Sequence, residues 1–254
     1  MRTCLLLLAV LAAELPAHAQ QLPTIEELLP RISAYVQQYR QSVPSFEVDE
    51  SAVTQQVSDG RVKWEVRLEM TLRVLRDESN PNGFVDHYTF RMVDGTPPKN
   101  HFKLPYFVQG VFSNVVGLAR PEQQSCFEYR VSPGDSAATA TIDMWVKPGP
   151  AEPNCRDVFE GYRKTVVVDV ASGAILHITR SMSPKAAREH HEIVFISLDY
   201  APQKLGDAVF CLPVRFESHD EKNEGRMVAT FLNFHRYTSA AKMVDSGSQP
   251  QVTP

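Results

Sequence analysis

The chain has 254 residues, with 26 Lys and Arg against 30 Asp and Glu for a formal net charge of −4, and 43% of its residues are hydrophobic. This is the balance of a globular protein, and it excludes a disordered chain, a collagen-like fibre and a disulfide-dense miniprotein. It also argues against nucleic acid as the main partner, because a phosphate-binding surface carries a basic excess.

The first residues predict an address. Arg2 precedes the apolar run CLLLLAVLAA (4–13), followed by a polar break at Glu14 and Pro16 and the A-x-A pattern Ala17-His18-Ala19. A run this short falls well below the roughly 20 residues of a membrane-spanning helix and has the form of a cleaved secretory signal. Residues 1–19 are therefore expected to be removed, and Gln20 follows the cut where a lipid-anchored protein would carry cysteine. No later stretch is long and apolar enough to span a bilayer. The expectation is a soluble, exported, periplasmic protein with one domain over 20–244 and a disordered Ser/Gly/Gln/Pro tail over 245–254.

The mature chain opens with a helix. Thr24 and Glu27 have capping-box spacing, and Ile25, Leu28, Leu29, Ile32, Tyr35, Val36 and Tyr39 recur at three to four residues, which predicts a helix over 24–41 despite Pro30. The period then drops to two. In VKWEVRLEMTLRV (62–74) every even position is apolar and every odd one polar. A strand of that length reaches roughly 44 Å, which predicts a large curved sheet with one apolar face.

Further strands follow between turn signals: Phe84 to Met92 after Asn80-Pro81-Asn82-Gly83, then 126–131 and 139–146 around Ser132-Pro133-Gly134-Asp135. Next come 164–170 and 174–180 around Ala171-Ser172-Gly173, then 193–200, 209–218 and 227–237. Sequential strands with short links and no alternating helices predict an antiparallel sheet, and Pro213 inside a strand implies an edge or a bulge. One segment departs from this. Residues 106–118 place Phe107, Val108, Val111, Phe112, Val115 and Leu118 on one helical face, which predicts a second, apolar helix lying on the sheet as a plug or lid.

Once the signal is removed, Cys126, Cys155 and Cys211 remain. In an oxidising compartment one pair is expected to bridge. The loop position of Cys155 favours Cys126–Cys155, with the pairings of Cys211 left open. Cys211, between Phe210 and Leu212, reads as a small core residue.

Catalytic patterns are absent. The chain has no G-x-S-x-G, H-E-x-x-H, P-loop or G-x-G-x-x-G. Arg188-Glu189-His190-His191-Glu192 reads as a solvated loop rather than a metal site, since adjacent histidines on an extended chain point apart. Ser218, His219 and Asp220 are consecutive and cannot hydrogen-bond as a triad. His87 and His177 read as solvent-facing or satisfied by neighbours. The chain is expected to be non-enzymatic, with no metal and no cofactor.

The stretch VVVDVASGAILHITR (166–180), together with FCLPVRFES (210–218), Gly225 and FLNFHRY (231–237), resembles the hairpin and closing strands of the LolA-like lipoprotein-carrier superfamily. That superfamily includes outer-membrane lipoprotein-sorting proteins and the lipid-binding part of RseB-type regulators. The resemblance implies a mainly β, α+β fold: a strongly curved antiparallel sheet forming an unclosed half-barrel, with helices on its concave side and lipid bound in the hollow. It brings no catalytic or gating residue.

These readings combine into two expectations. In the first, the protein buries lipid or lipoprotein acyl chains, each methylene contributing about 0.8 kcal/mol. The candidate lining residues are Trp64, Leu68, Met70, Leu72, Phe84, Tyr88 and Phe90, covered by Phe107, Val111 and Phe112. In the second, the hollow is filled and the protein is an envelope interaction module. It would recruit a protein partner through a sheet edge or through the charged face of Lys63, Glu65, Arg67, Glu69 and Arg73.

Overall fold

The computed structural model describes residues 22–80, 83–112, 121–148, 155, 161–190, 193–220 and 224–237, without the side chains of residues 188 and 190. The expected signal peptide and tail lie outside the described residues.

Helix α1 (Ile25–Ser42) starts at Thr24, where the reciprocal capping box with Glu27 forms. Leu28, Ile32, Val36 and Tyr39 make its buried stripe. Its last carbonyls are satisfied from the sheet. The Arg76 guanidinium donates to the carbonyls of Arg40, Gln41 and Val43 at 2.8–3.0 Å.

Ten strands form one antiparallel sheet: β1 (Phe46–Ser58), β2 (Arg61–Arg76), β3 (Phe84–Val93), β4 (Phe127–Pro133), β5 (Thr139–Val146), β6 (Tyr162–Asp169), β7 (Ile175–Met182), β8 (Phe195–Leu205), β9 (Ala208–Asp220) and β10 (Gly225–Arg236). Their spatial order is β3-β2-β1-β10-β9-β8-β7-β6-β5-β4. Every sequence-adjacent pair is therefore hydrogen-bonded except β3 and β4, and the first strand pairs with the last. Were β3 bonded to β4, this would be a closed up-and-down barrel. The opening lies between them.

Register shifts bend the sheet at Glu47/Asp49, Gln56/Val57, Glu69/Met70, Val167/Val168 and Asp199/Tyr200. Pro213 sits at the last of these, opposite Tyr200 in the interior strand β9. It marks a bulge and not an edge. The β1–β2 turn uses Asp59 and Gly60, both at positive φ (52° and 71°), as a two-residue hairpin turn requires.

The strand β1 escaped the sequence reading. Its inward positions are Phe46, Val48, Glu50, Ala52 and Thr54, so a carboxyl and a hydroxyl interrupt the apolar alternation. The Asp59-Gly60 turn before β2 was the available signal.

Two local expectations are corrected. Residues 188–190, read as part of a solvated loop, belong to the short helix α2 (Pro184–His190), started by Ser183, whose Oγ accepts from the Ala186 N–H at 3.2 Å, with Pro184 in the first turn. Its Ala186 and Ala187 are buried with Tyr162 and Met182. The predicted helix over 106–118 does not start at Tyr106. Residues 106–110 are non-helical, Gly110 has φ +79°, and helical backbone begins at Val111. Residues 113–120 lie outside the described residues.

The disulfide joins Cys126, at the entry to β4, to Cys155, with Cα atoms 5.6 Å apart. Cys211 is free and half-buried, its thiol pushed up by burial.

Candidate functional site on the inner face of the sheet

Alternation along β2 sends Val66, Leu68, Met70, Leu72 and Val74 inward, where none is more than 3% exposed. The same parity continues to Val62 and Trp64, yet these are 51% and 39% exposed. The β1–β2 hairpin outruns whatever covers the sheet, so Trp64 stands apart from the other candidate lining residues. Phe84 also diverges from the group. It lies at the opposite end of the sheet, packed edge-on against Tyr39 of α1 with ring centroids 5.8 Å apart.

The remaining candidates do meet. Tyr88 and Phe90 of β3 stack against Phe107 at 5.3 and 5.5 Å, and Phe102 packs on Phe90 at 5.0 Å. Phe112 is fully buried between Phe46 of β1 at 5.2 Å and Phe231 of β10 at 4.9 Å. Val111 is buried beside it. Residues 102–112 thus lie across the inner faces of β3, β1 and β10, ring against ring.

Polar anchors tie this segment down. Thr54 Oγ donates to the Tyr106 carbonyl, the Gly110 N–H donates to Tyr88 Oη at 3.2 Å, and the Phe112 N–H donates to Asp86 Oδ2 at 3.1 Å. Gly225 is needed for the seat. A Cβ there would stand 2.4 Å from the Tyr106 ring. Gly173 plays the same part under α1, where a Cβ would stand 2.4 Å from the Arg31 backbone and φ is +71°.

Beneath the segment lies Glu50, 1% exposed, with neither carboxylate oxygen hydrogen-bonded. Burial, and then the nearby Asp86 carboxylate, push its pKa up to about 8. The same two influences keep Tyr88 protonated well beyond its ordinary range.

The other half of the inner face carries cations. Arg180 of β7 donates to Tyr162 Oη at 2.8 Å and to the Ile193 carbonyl at 3.1 Å. Lys164 of β6, 4% exposed, holds its ammonium 4.7 Å from the Phe127 ring centroid and 5.4 Å from that of Tyr162. Both residues occupy the inward parity of their strands (Tyr162, Lys164, Val166, Val168; Ile178, Arg180, Met182), and that parity was the signal by which they could have been found.

The residues set aside for catalysis fall as alternation requires. Ser218 and Asp220 point inward and His219 points to the other face. His177 is paired with Asp199 at 2.6 Å on the outer face, and Asp199 lies 3.8 Å from Arg215. No helix among the described residues is long and apolar enough to cross a membrane.

No family model and no curated protein matches the chain. Its structure is similar to an outer membrane lipoprotein-sorting protein domain from Vibrio parahaemolyticus, at 10% identity and a TM-score of 0.45, over 83% of this chain and 94% of that one. It is similar to a LolA superfamily protein from Nitrosomonas europaea, at 11% identity and a TM-score of 0.38, with the same two coverages, 83% and 94%. It is also similar to MucB, at 13% identity and a TM-score of 0.25, over 89% of this chain and 64% of that one. At these values the likeness concerns the course of the chain, and no ligand, partner or site residue is carried over from it.

Proposed function

We propose that the protein is a periplasmic carrier or sensor of acyl chains, which enter between the β1–β3 inner face and the 102–112 segment by lifting that segment. The observation that carries this reading is the nature of the cover. Leu68, Met70, Leu72, Tyr88 and Phe90 belong to one apolar cluster, and among the described residues the rings of Tyr88 and Phe90 are covered by Phe102 and Phe107 of the non-helical stretch 102–110. A connection tied at a few polar points can leave without breaking the sheet, and an acyl chain would replace its aromatic contacts with methylene contacts of similar worth.

Native mass spectrometry of the envelope-purified protein, with lipid extraction of the same sample, tests the proposal. It is paired with titration of a fluorescent fatty acid into wild type, Gly225→Ala and Thr54→Val. A co-purifying lipid or acylated peptide, and tighter fatty-acid binding by the two loosened variants, would support it. An apo mass together with no binding by any of the three would overturn it.

The second reading is an envelope interaction module with a filled core, and one observation favours it. The Phe46–Phe112–Phe231 cluster packs at ordinary aromatic distances with all three rings buried, and Phe234 packs against two of them. The overturning outcome above is the result this reading expects.

A further inference from the structure

The outer face of β4–β7 holds a cleft of about 380 Å³ lined by Arg130, Asp143, Trp145, Arg163, Thr165, Thr179 and Ser181, with Met144 and Lys164 in its floor. The register explains its composition. One row across the strands runs Glu128, Trp145, Arg163, Ser181, and the next, two residues along, runs Arg130, Asp143, Thr165, Thr179. Adjacent strands lie about 4.8 Å apart and the two rows about 7 Å apart, so these side chains share one patch. Its volume falls in the range of small-molecule sites.

Part of the patch is already fixed by internal bonds. Glu128 accepts from Trp145 Nε1 at 2.7 Å, which holds the indole ring. Asp143 accepts from Arg130 at 2.9 Å and from Thr165 Oγ at 2.9 Å. The Arg130 hydrogen bond leads in holding its carboxyl below the usual range, so it is charged at neutral pH. The other part is unspent. Among the described residues, Arg163 makes no hydrogen bond or ion pair, and the hydroxyls of Thr179 and Ser181 donate to nothing. An immobilised indole thus borders an exposed guanidinium that acts on the Asp143 carboxylate through its charge without a hydrogen bond to it, two idle hydroxyls and that charged carboxylate acceptor.

We propose that this cleft binds a saccharide unit bearing one anionic substituent. The anion pairs with Arg163, the apolar face of the sugar ring lies on Trp145, and ring hydroxyls bond to Asp143, Thr179 and Ser181. Each part of the cleft then has a use: a neutral sugar leaves Arg163 unanswered, and a bare anion makes no use of the indole. The site is on the opposite face of the sheet from the acyl-binding face and does not rest on that reading.

Trp64 and Trp145 are the only tryptophans, so Trp64→Phe makes Trp145 the sole indole reporter. The experiment titrates this variant with sodium glucuronate, glucose 6-phosphate, glucose and sodium acetate at constant ionic strength, reading Trp145 emission with calorimetry beside it. Saturable binding of glucuronate or glucose 6-phosphate is expected, at least tenfold tighter than glucose or acetate and weakened at least tenfold by Arg163→Gln. The two acidic sugars distinguish a carboxylate from a phosphate ligand. Arg163 is exposed, and an unchanged thermal midpoint shows that its replacement leaves the fold intact; Ser181→Ala gives a second, smaller weakening. Equal response to glucose or acetate, no saturable binding of either acidic sugar, or unchanged binding by Arg163→Gln would overturn the proposal.

Discussion

The two halves of the inner face solve one problem in opposite ways. Over β1–β3 the sheet is covered by a connection whose aromatic rings fill the space, and the polar groups caught beneath are the carboxyls of Glu50 and Asp86. Over β6–β7 the strands send cations inward, and rings of the protein's own strands receive them. The difference teaches where each half can change. The cation half answers its charges with the Phe127 and Tyr162 rings, the Tyr162 hydroxyl and the Ile193 carbonyl, whereas the carboxyl half includes a group, Glu50, with both carboxylate oxygens lacking a hydrogen bond. Glu50 therefore lies under the segment that the proposed carrier function would lift.

The sharpest way to break this comparison is to titrate Glu50. Below about pH 4.5 its carboxyl is protonated whether the chain is folded or not. Between there and about pH 8 the unfolded chain releases the proton while the folded chain keeps it, so stability falls as pH rises and levels off above pH 8. The full drop is about 4–5 kcal/mol. Glu50→Gln should remove this slope, measured as urea unfolding free energies of both proteins at pH 5, 6.5 and 8. Equal slopes would mean that Glu50 is hydrated or paired, and the asymmetry between the halves would vanish.

Next in size is Phe112→Ala, which empties the space between Phe46 and Phe231 and should cost about 3–5 kcal/mol in equilibrium unfolding. Breaking the Cys126–Cys155 bridge at the β4 edge by a double Ser substitution should cost about 3–4 kcal/mol, seen as a lowered denaturation midpoint under non-reducing conditions. Gly225→Ala pushes on the Tyr106 ring without emptying anything. It should cost about 1–3 kcal/mol and speed amide exchange at Gly110 and Phe112 while leaving the β6–β7 amides unchanged. Smallest is Arg73→Ala, which removes an exposed pair with Glu47 at 2.8 Å and should shift unfolding by under about 1 kcal/mol.

How much of this was legible follows from what each residue had to satisfy. The helix at 25–42 announced itself because its cap and its buried stripe are both local patterns. So did β2, whose inward residues are all apolar. Strand β1 was hidden by Glu50 and Thr54, inward-facing groups whose presence reflects the segment lying on them, a long-range matter that periodicity does not record. The stretch 106–112 misled because apolar residues spaced for a helix are equally well spaced for a bent chain pressed on a curved surface, with Gly110 supplying the bend. Trp64 misled because the alternation of a strand says which face a residue is on and nothing about how far the cover extends. The outer cleft was unreadable for a related reason: Trp145, Arg163 and Ser181 come together only through the register of three strands.

The pairing of β1 with β10 also governs how the chain can be assembled. Three strands made first form a small sheet whose β1 margin is a row of unsatisfied backbone groups, and it stays uncovered while β4 to β9 build inward from the far edge, because only β10 pairs with β1 there. That margin stays open until Gly225–Arg236 has been synthesised and delivered. Loop closure between the ends of the chain therefore comes last and is costly, which makes folding slow. It also leaves an unpaired strand margin exposed until the last strand arrives, and a truncation that spares nine strands would still be unable to complete the sheet.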